Sequence, residues 1–284
     1  PTPKLTQIDA SLIEQEYQNL QALLKQQNWQ EQAKMSLDKI VPANISLAYR
    51  FYAQLAGASQ VAGKPMLIFF SIYKGLSTVL ENCANEEAII LYALYSGISV
   101  KQGKHIEGNK AAKVALALLE RYPLCTDAAY INMTLGTFVW FYQQPLKDAI
   151  TLQVKAHELG YESGDIVLGV VAGYSNAQFN HYASGLSLSQ LQANLATLKT
   201  LMHKHGVKVL AGSYYPRLIT MLTQQETSNQ FVAEAFGTEE WQLIQSCVLK
   251  AFIEHLQLQA YFWRNEHSEA WEVVQAAEAS LPML

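Results

Sequence analysis

Apolar residues recur along this chain at three- and four-residue spacing, interrupted by short polar breaks, and that rhythm predicts helix after helix. It is plainest from Glu86 to Pro123. Before the polar turn at Lys101-Gln102-Gly103-Lys104, the residues Ile89, Tyr92, Ala93, Ser96 and Gly97 share one helical face. After it, Gly108, Ala111, Ala112, Ala115 and Leu119 share another, and Pro123 stops the run. Small residues at the crossing predict a close antiparallel hairpin. Such a hairpin cannot bury both faces alone and needs neighbours of its own kind.

The remaining chain offers them. Asp9 is a candidate N-cap for a helix to Gln26, with Leu12, Ile13, Tyr17, Leu20, Leu23 and Leu24 as its stripe. A second helix places Ala33, Leu37 and Ile40 inward and ends at Pro42. Asn44 is a candidate cap for a third, with Leu47, Phe51, Leu55 and Ala58 inward. Pro65 suits the first position of a fourth, which runs to about Cys83. Further helices are predicted over Thr126–Tyr142, Leu146–Leu159 (closed by Gly160), Asp165–Ala183, Leu188–His203, Val207–Leu222, Glu239–Trp263 and Ser268–Leu281. The stretch 223–238 reads as a loop and a possible subdivision of one elongated domain. About thirteen helices and no strand make the expected fold all-α.

Composition narrows the picture. Only 15% of the 284 residues are charged, against about a quarter in ordinary soluble domains. The deficit implies extensive burial or faces that meet other domains. A net charge of −4 gives no basic footprint for nucleic acid. Ala128–Leu146 and Ile166–Leu198 lack Asp, Glu, Lys and Arg, but their polar Asn, Gln, Thr, Ser and His argue against a membrane span. Cys83, Cys125 and Cys247 lie far apart without a CxxC pair, so buried thiols in a reducing, cytoplasmic setting are expected. No signal peptide is recognised at the start. The Pro-Thr-Pro start and abrupt Leu284 end suggest a segment of a longer chain.

Candidate chemistry is sparse. His203-Lys204-His205 has residues two apart, on different helix faces, which suits a solvated helix end better than a metal. Glu86-Glu87 and Glu239-Glu240 sit where acids favour a helix start. The patterns GxSxG, GxxxxGK[ST] and GxGxxG are absent. No catalytic residue, cofactor or metal is therefore expected. The candidate interaction or pocket residues are the aromatics Phe138, Trp140, Tyr142 and Trp263, with Tyr174 and His181 in the uncharged stretch. Consecutive aromatics cannot all face one side, so inter-helix packing competes with a ligand groove at each.

The turns share a grammar. Gly103 is followed by Gly108 and Ala115, Gln144 by Ala149 and Ala156, and Asn265 by Ala270, Ala277 and Pro282. This resembles the tetratricopeptide repeat, most closely in the last unit, where Tyr261 joins the pattern. A second resemblance rests on the order of AAKVALALLERY (from Ala111), FVWFYQQPLKDAI (from Phe138), KAHELGYESGDIVLGVVAGYSNAQFNHYASGLSL (from Lys155) and the LQANL helix at Leu191. Gly160, Tyr161, Gly164, Asp165, Phe179, Gly185 and Leu186 carry most of it. The chain is similar to the helical region of very large bacterial signalling proteins. There, a serine/threonine kinase-like domain and an ATPase domain precede the region, and a GAF-type sensor and a histidine kinase follow it.

These resemblances imply a right-handed α-solenoid of antiparallel hairpins with a concave binding surface. The expected function is a non-catalytic scaffold that docks a flanking domain, protein or peptide and relays the change. The alternative is a small-molecule effector sensor with a pocket among residues 128–198. An all-α enzyme would need a cluster of acids or metal ligands that the sequence does not display.

Overall fold

The computed structural model describes residues 8–27, 40–142, 144–207, 254, 257–258, 261–262 and 264–278. Every regular element among them is helical. Ten α-helices are present in the described residues: α1 (Ala10–Gln26), α2 (Ala43–Val61), α3 (Pro65–Glu81), α4 (Ile89–Lys101), α5 (His105–Arg121), α6 (Ala128–Phe138), α7 (Leu146–Ser163), α8 (Tyr174–Ala183), α9 (Leu188–His205) and α10 (His267–Glu278). The helices expected around Ala33, over Val207–Leu222 and over most of Glu239–Trp263 fall outside the described residues, as does the loop expected at 223–238; Ile40, expected to face inward, is described and is 93% exposed. None of the described helices is long and apolar enough to cross a membrane.

The described residues form two compact units. One comprises those up to Ser59 together with Met66–Leu186; the other comprises Gln60–Pro65 and those from Ser187 onward. In the first, α4 packs on α5 and α6, α6 packs on α7, and α7 packs on α8. The hairpin at Glu86–Pro123 takes its expected form. Its crossing tolerates no side chain at Gly108, whose Cβ would lie 2.8 Å from the Ser96 carbonyl and 2.7 Å from Val100 Cγ2. Gly103 turns the chain at φ 76°. Helix α4 is buried on nearly every side, with Ile89, Leu91, Tyr92 and Ala93 fully enclosed. That is the environment its almost unbroken apolar sequence demands.

Local expectations are corrected at several points. Helix α2 begins at Ala43, and the Pro42 carbonyl accepts from Ile45 N and Ser46 N, so Asn44 lies inside the first turn rather than capping it. The same helix turns Leu47 and Phe51 outward and buries Tyr49, Ala56 and Ser59. Its sequence carries two apolar stripes, and Tyr49 wins the interior by donating its hydroxyl to the Cys83 carbonyl. The helix expected to Tyr142 stops at Phe138; Val139 leaves helical geometry and a short 3-10 turn covers Trp140–Tyr142. Finally, α7 continues past Gly160 to Ser163, and Gly164 ends it in the left-handed conformation at φ 78°.

Gly160 instead serves a crossing. Residues Ile166–Gly173, expected as α-helix, are wound as a π-helix, with Val170 N bonded to the Asp165 carbonyl five residues back. Asp165 caps the segment through its side chain, accepting from Leu168 N. The wide turn lies against α7 through glycine on both sides. Gly173 completes the contact beneath the Gln153 carbonyl.

In the second unit, α9 opens with a reciprocal capping box between Ser187 and Gln190 and closes at Gly206. Leu191, Leu195 and Leu198 form its buried stripe. His203, Lys204 and His205 fall in its last turn, where positive charge suits the helix dipole. Ahead of α10, Asn265 adopts φ 59° in the turn.

Candidate functional site

The aromatic run is divided by the break at Val139. Phe138 and Trp140 are half-buried and pack against the core around α4. Tyr142 faces outward, 58% exposed, with its ring 5.8 Å from that of His105. Trp263 lies outside the described residues. Tyr174 and His181 occupy different places: Tyr174 meets His157 beside the π-helix, and His181 lines an open cleft.

That cleft, of ≈ 690 Å³, is bordered by Leu146, Ile150, Thr151, His181 and Ser184. Beneath the same helices runs a polar layer. Gln153 is fully buried in α7; its carbonyl accepts from Asn180 Nδ2 at 2.8 Å, and its amide points to Thr137 Oγ1 at 3.4 Å. Asn176 donates to the same hydroxyl at 2.9 Å. The amides of the uncharged stretch thus spend these hydrogen bonds on one another, tying α6, α7 and α8 together. Next to it, His157 Nδ1 lies 2.7 Å from the Val170 carbonyl. A carbonyl only accepts, so Nδ1 carries the proton in this arrangement. Tyr161 and Tyr174 flank the imidazole with ring centroids at 5.2 and 5.1 Å.

A second cleft, of ≈ 460 Å³, opens between the end of α1 and the start of α5. Gln21, Leu24 and Lys25 form one wall; Lys104, His105, Ile106, Glu107 and Lys110 form the other. Its side chains are held from behind. Tyr73 packs against Tyr17 at 5.3 Å and against Tyr95 at 6.3 Å. Gln21 donates to the Tyr95 hydroxyl at 3.0 Å and to Glu107 Oε1 at 2.7 Å. The Lys104 ammonium rests 4.0 Å above the Tyr17 ring and donates to Gln102 Oε1, while Gln102 donates to the Tyr73 hydroxyl. Burial pushes the Tyr73 hydroxyl up to about 12, so this phenol stays neutral.

In the sequence, Lys101–Lys104 reads only as a turn. The available signal was charge density: Lys101, Lys104, Lys110 and Lys113 place four of the chain's 20 Lys and Arg residues within 101–113.

Near the start of α6, burial pushes Cys125 up to about 12 and raises Asp127, which the Arg50 charge partly offsets. Cys83 and Cys125 are free thiols; Cys125, held protonated by its burial, is a poor nucleophile. No group of three His, Cys, Asp or Glu side chains suited to a metal is present among the described residues.

Neither a known protein family, nor a curated protein, nor a solved structure matches the chain.

Proposed function

We propose that this chain is a non-catalytic docking and relay segment of a multidomain signalling protein, working in the cytoplasm. In this reading its hairpins continue as a right-handed superhelix, and a flanking domain or partner protein seats on its surface. The supporting observation is the outward face of α2. Leu47 and Phe51, one helical turn apart, are 67% and 53% exposed while the opposite side of the helix is core. Adjacent large apolar side chains in water mark interaction surfaces more often than isolated ones do. Differential affinity of the partner for two arrangements of the helices would transmit the signal. The test is a titration of this chain with each adjoining domain of its parent protein. Binding that Leu47→Glu with Phe51→Glu abolishes, at unchanged melting temperature, is expected. Absence of binding to every adjoining domain overturns the reading.

A second reading is favoured by the His181 cleft: a small effector would sit over the polar layer among residues 128–198. A thermal-shift screen against metabolites tests it, because a ligand of the folded state raises the melting temperature by mass action. Loss of that shift in His181→Ala would locate the ligand.

A further inference from the structure

The cleft between α1 and α5 collects positive charge in a chain whose net charge is −4. Lys25, Lys104 and Lys110 line it together with His105, against the carboxylate of Glu107. Lys25 and Lys110 make no ion pair among the described residues, and both are exposed. Like charges gathered around one concavity repel, and a bound anion removes that cost. The first turn of α5 adds to the field: its leading backbone N–H groups have no intrahelical acceptor, and no side chain caps them.

We propose that this cleft binds a small, soluble, phosphate-bearing anion. Three observations select phosphate. The cations are ammonium groups, which act on phosphate as point charges, whereas planar carboxylates are best matched by guanidinium forks, and no Arg lines the cleft. The walls are braced by the Tyr17–Tyr73–Tyr95 cluster and its Gln21, Gln102 and Lys104 contacts, so the ordering cost of binding falls mainly on the exposed Lys25 and Lys110. Leu24 and Ile106 supply an apolar edge for the organic part of such a ligand. Glu107 opposes the anion and sets the selectivity: Gln21 holds its Oε1, and the carboxylate penalises ligands that crowd the α5 side.

The experiment is calorimetric titration of the whole chain with inorganic pyrophosphate at fixed ionic strength, beside Lys25→Gln/Lys110→Gln and Glu107→Gln. Saturable binding is expected, weakened about tenfold or more in the double lysine variant, as for loss of two charge contacts of about 0.7 kcal/mol each. Glu107→Gln is expected to tighten it severalfold, an effect that mere structural support by Glu107 would not produce. Circular dichroism and melting temperature verify that the exposed lysine substitutions leave the fold intact. Absence of saturable binding, or binding indifferent to the lysine pair, overturns the proposal. So does preferential binding of an acidic peptide, or of phosphatidic acid vesicles, that pyrophosphate does not displace.

Discussion

Gly160 of α7 and Gly169 of the π-helix meet backbone to backbone: a Cβ on Gly169 would lie 2.6 Å from the Gly160 Cα. The same holds in reverse, since a Cβ on Gly160 would lie 2.6 Å from Val170 N. Neither obstacle is a flexible side chain that can swing aside. Gly160→Ala is therefore expected to destabilise the first unit by about 1–3 kcal/mol through forced separation of the two elements. Gly57, inside α2 with open space around its Cβ position, is the matched control. Gly57→Ala should stabilise by about 0.5–1 kcal/mol through the helix backbone alone. Urea denaturation of both variants checks the pair; equal effects would dismiss the contact.

Gln153 is the hub of the polar layer, joined to Asn180 and Thr137. Gln153→Ala removes a fully buried side chain and leaves the Asn180 amide without that acceptor. A loss of about 2–4 kcal/mol is expected, with hydrogen exchange accelerated first in α8. Uniform loss of protection across the unit would show that the layer does not specifically anchor α8.

Asp127 offers a test with a definite sign. Burial raises its carboxyl above the usual value, with Asp165, Glu86 and Glu87 adding to the effect and Arg50 opposing it. Folding therefore disfavours the carboxylate. The stability is fully present below the ordinary value of 3.8 and is lost as pH rises through the raised folded value. Asp127→Asn should melt at a higher temperature than the parent at neutral pH, and the gap should close toward pH 3. A variant that melts lower at neutral pH would show that the attraction of the Arg50 charge prevails.

At the alkaline end, Cys125 and the hydroxyls of Tyr49 and Tyr73 are all pushed up to about 12 by burial. The unfolded chain releases these protons from about pH 9 upward. Stability should hold to that point and fall steadily as pH approaches 12. Cys125→Ala should flatten the lower part of that decline, measured as melting temperature against pH.

The sequence displayed its helices through periodicity, and the Ser96–Gly108 crossing through small residues at one spacing. It was ambiguous where a helix carried two apolar stripes. In α2, Leu47 and Phe51 compete with Ile45, Tyr49, Tyr52 and Ala56, and only the tertiary partner of Tyr49 decides between them. The π-winding of Ile166–Gly173 was hidden because small apolar residues suit both ladders; Gly160, on the preceding helix, makes the wide one fit. Among the candidate site residues, Tyr142 reaches the neighbourhood of the lysine-lined cleft through His105, while Phe138 and Trp140 serve packing. That cleft joins Lys25 to Lys104 and Lys110 across distant stretches of chain, which no local pattern records.

A ladder bonded i to i+5 stands one residue away from an ordinary α-helix. Deleting a single residue between Ile166 and Gly173 would let the segment rewind as α-helix, and the tighter winding would offset much of the roughly 100° that a lost residue otherwise takes from every later position. Asn176 and Asn180 would stay on the side of α8 that faces Thr137 and Gln153, while the wide turn that meets Gly160 would be lost. The segment thus stores spare length. A deletion inside it costs the close approach to α7, whereas the same deletion within α8 would change the face that the rest of the helix presents.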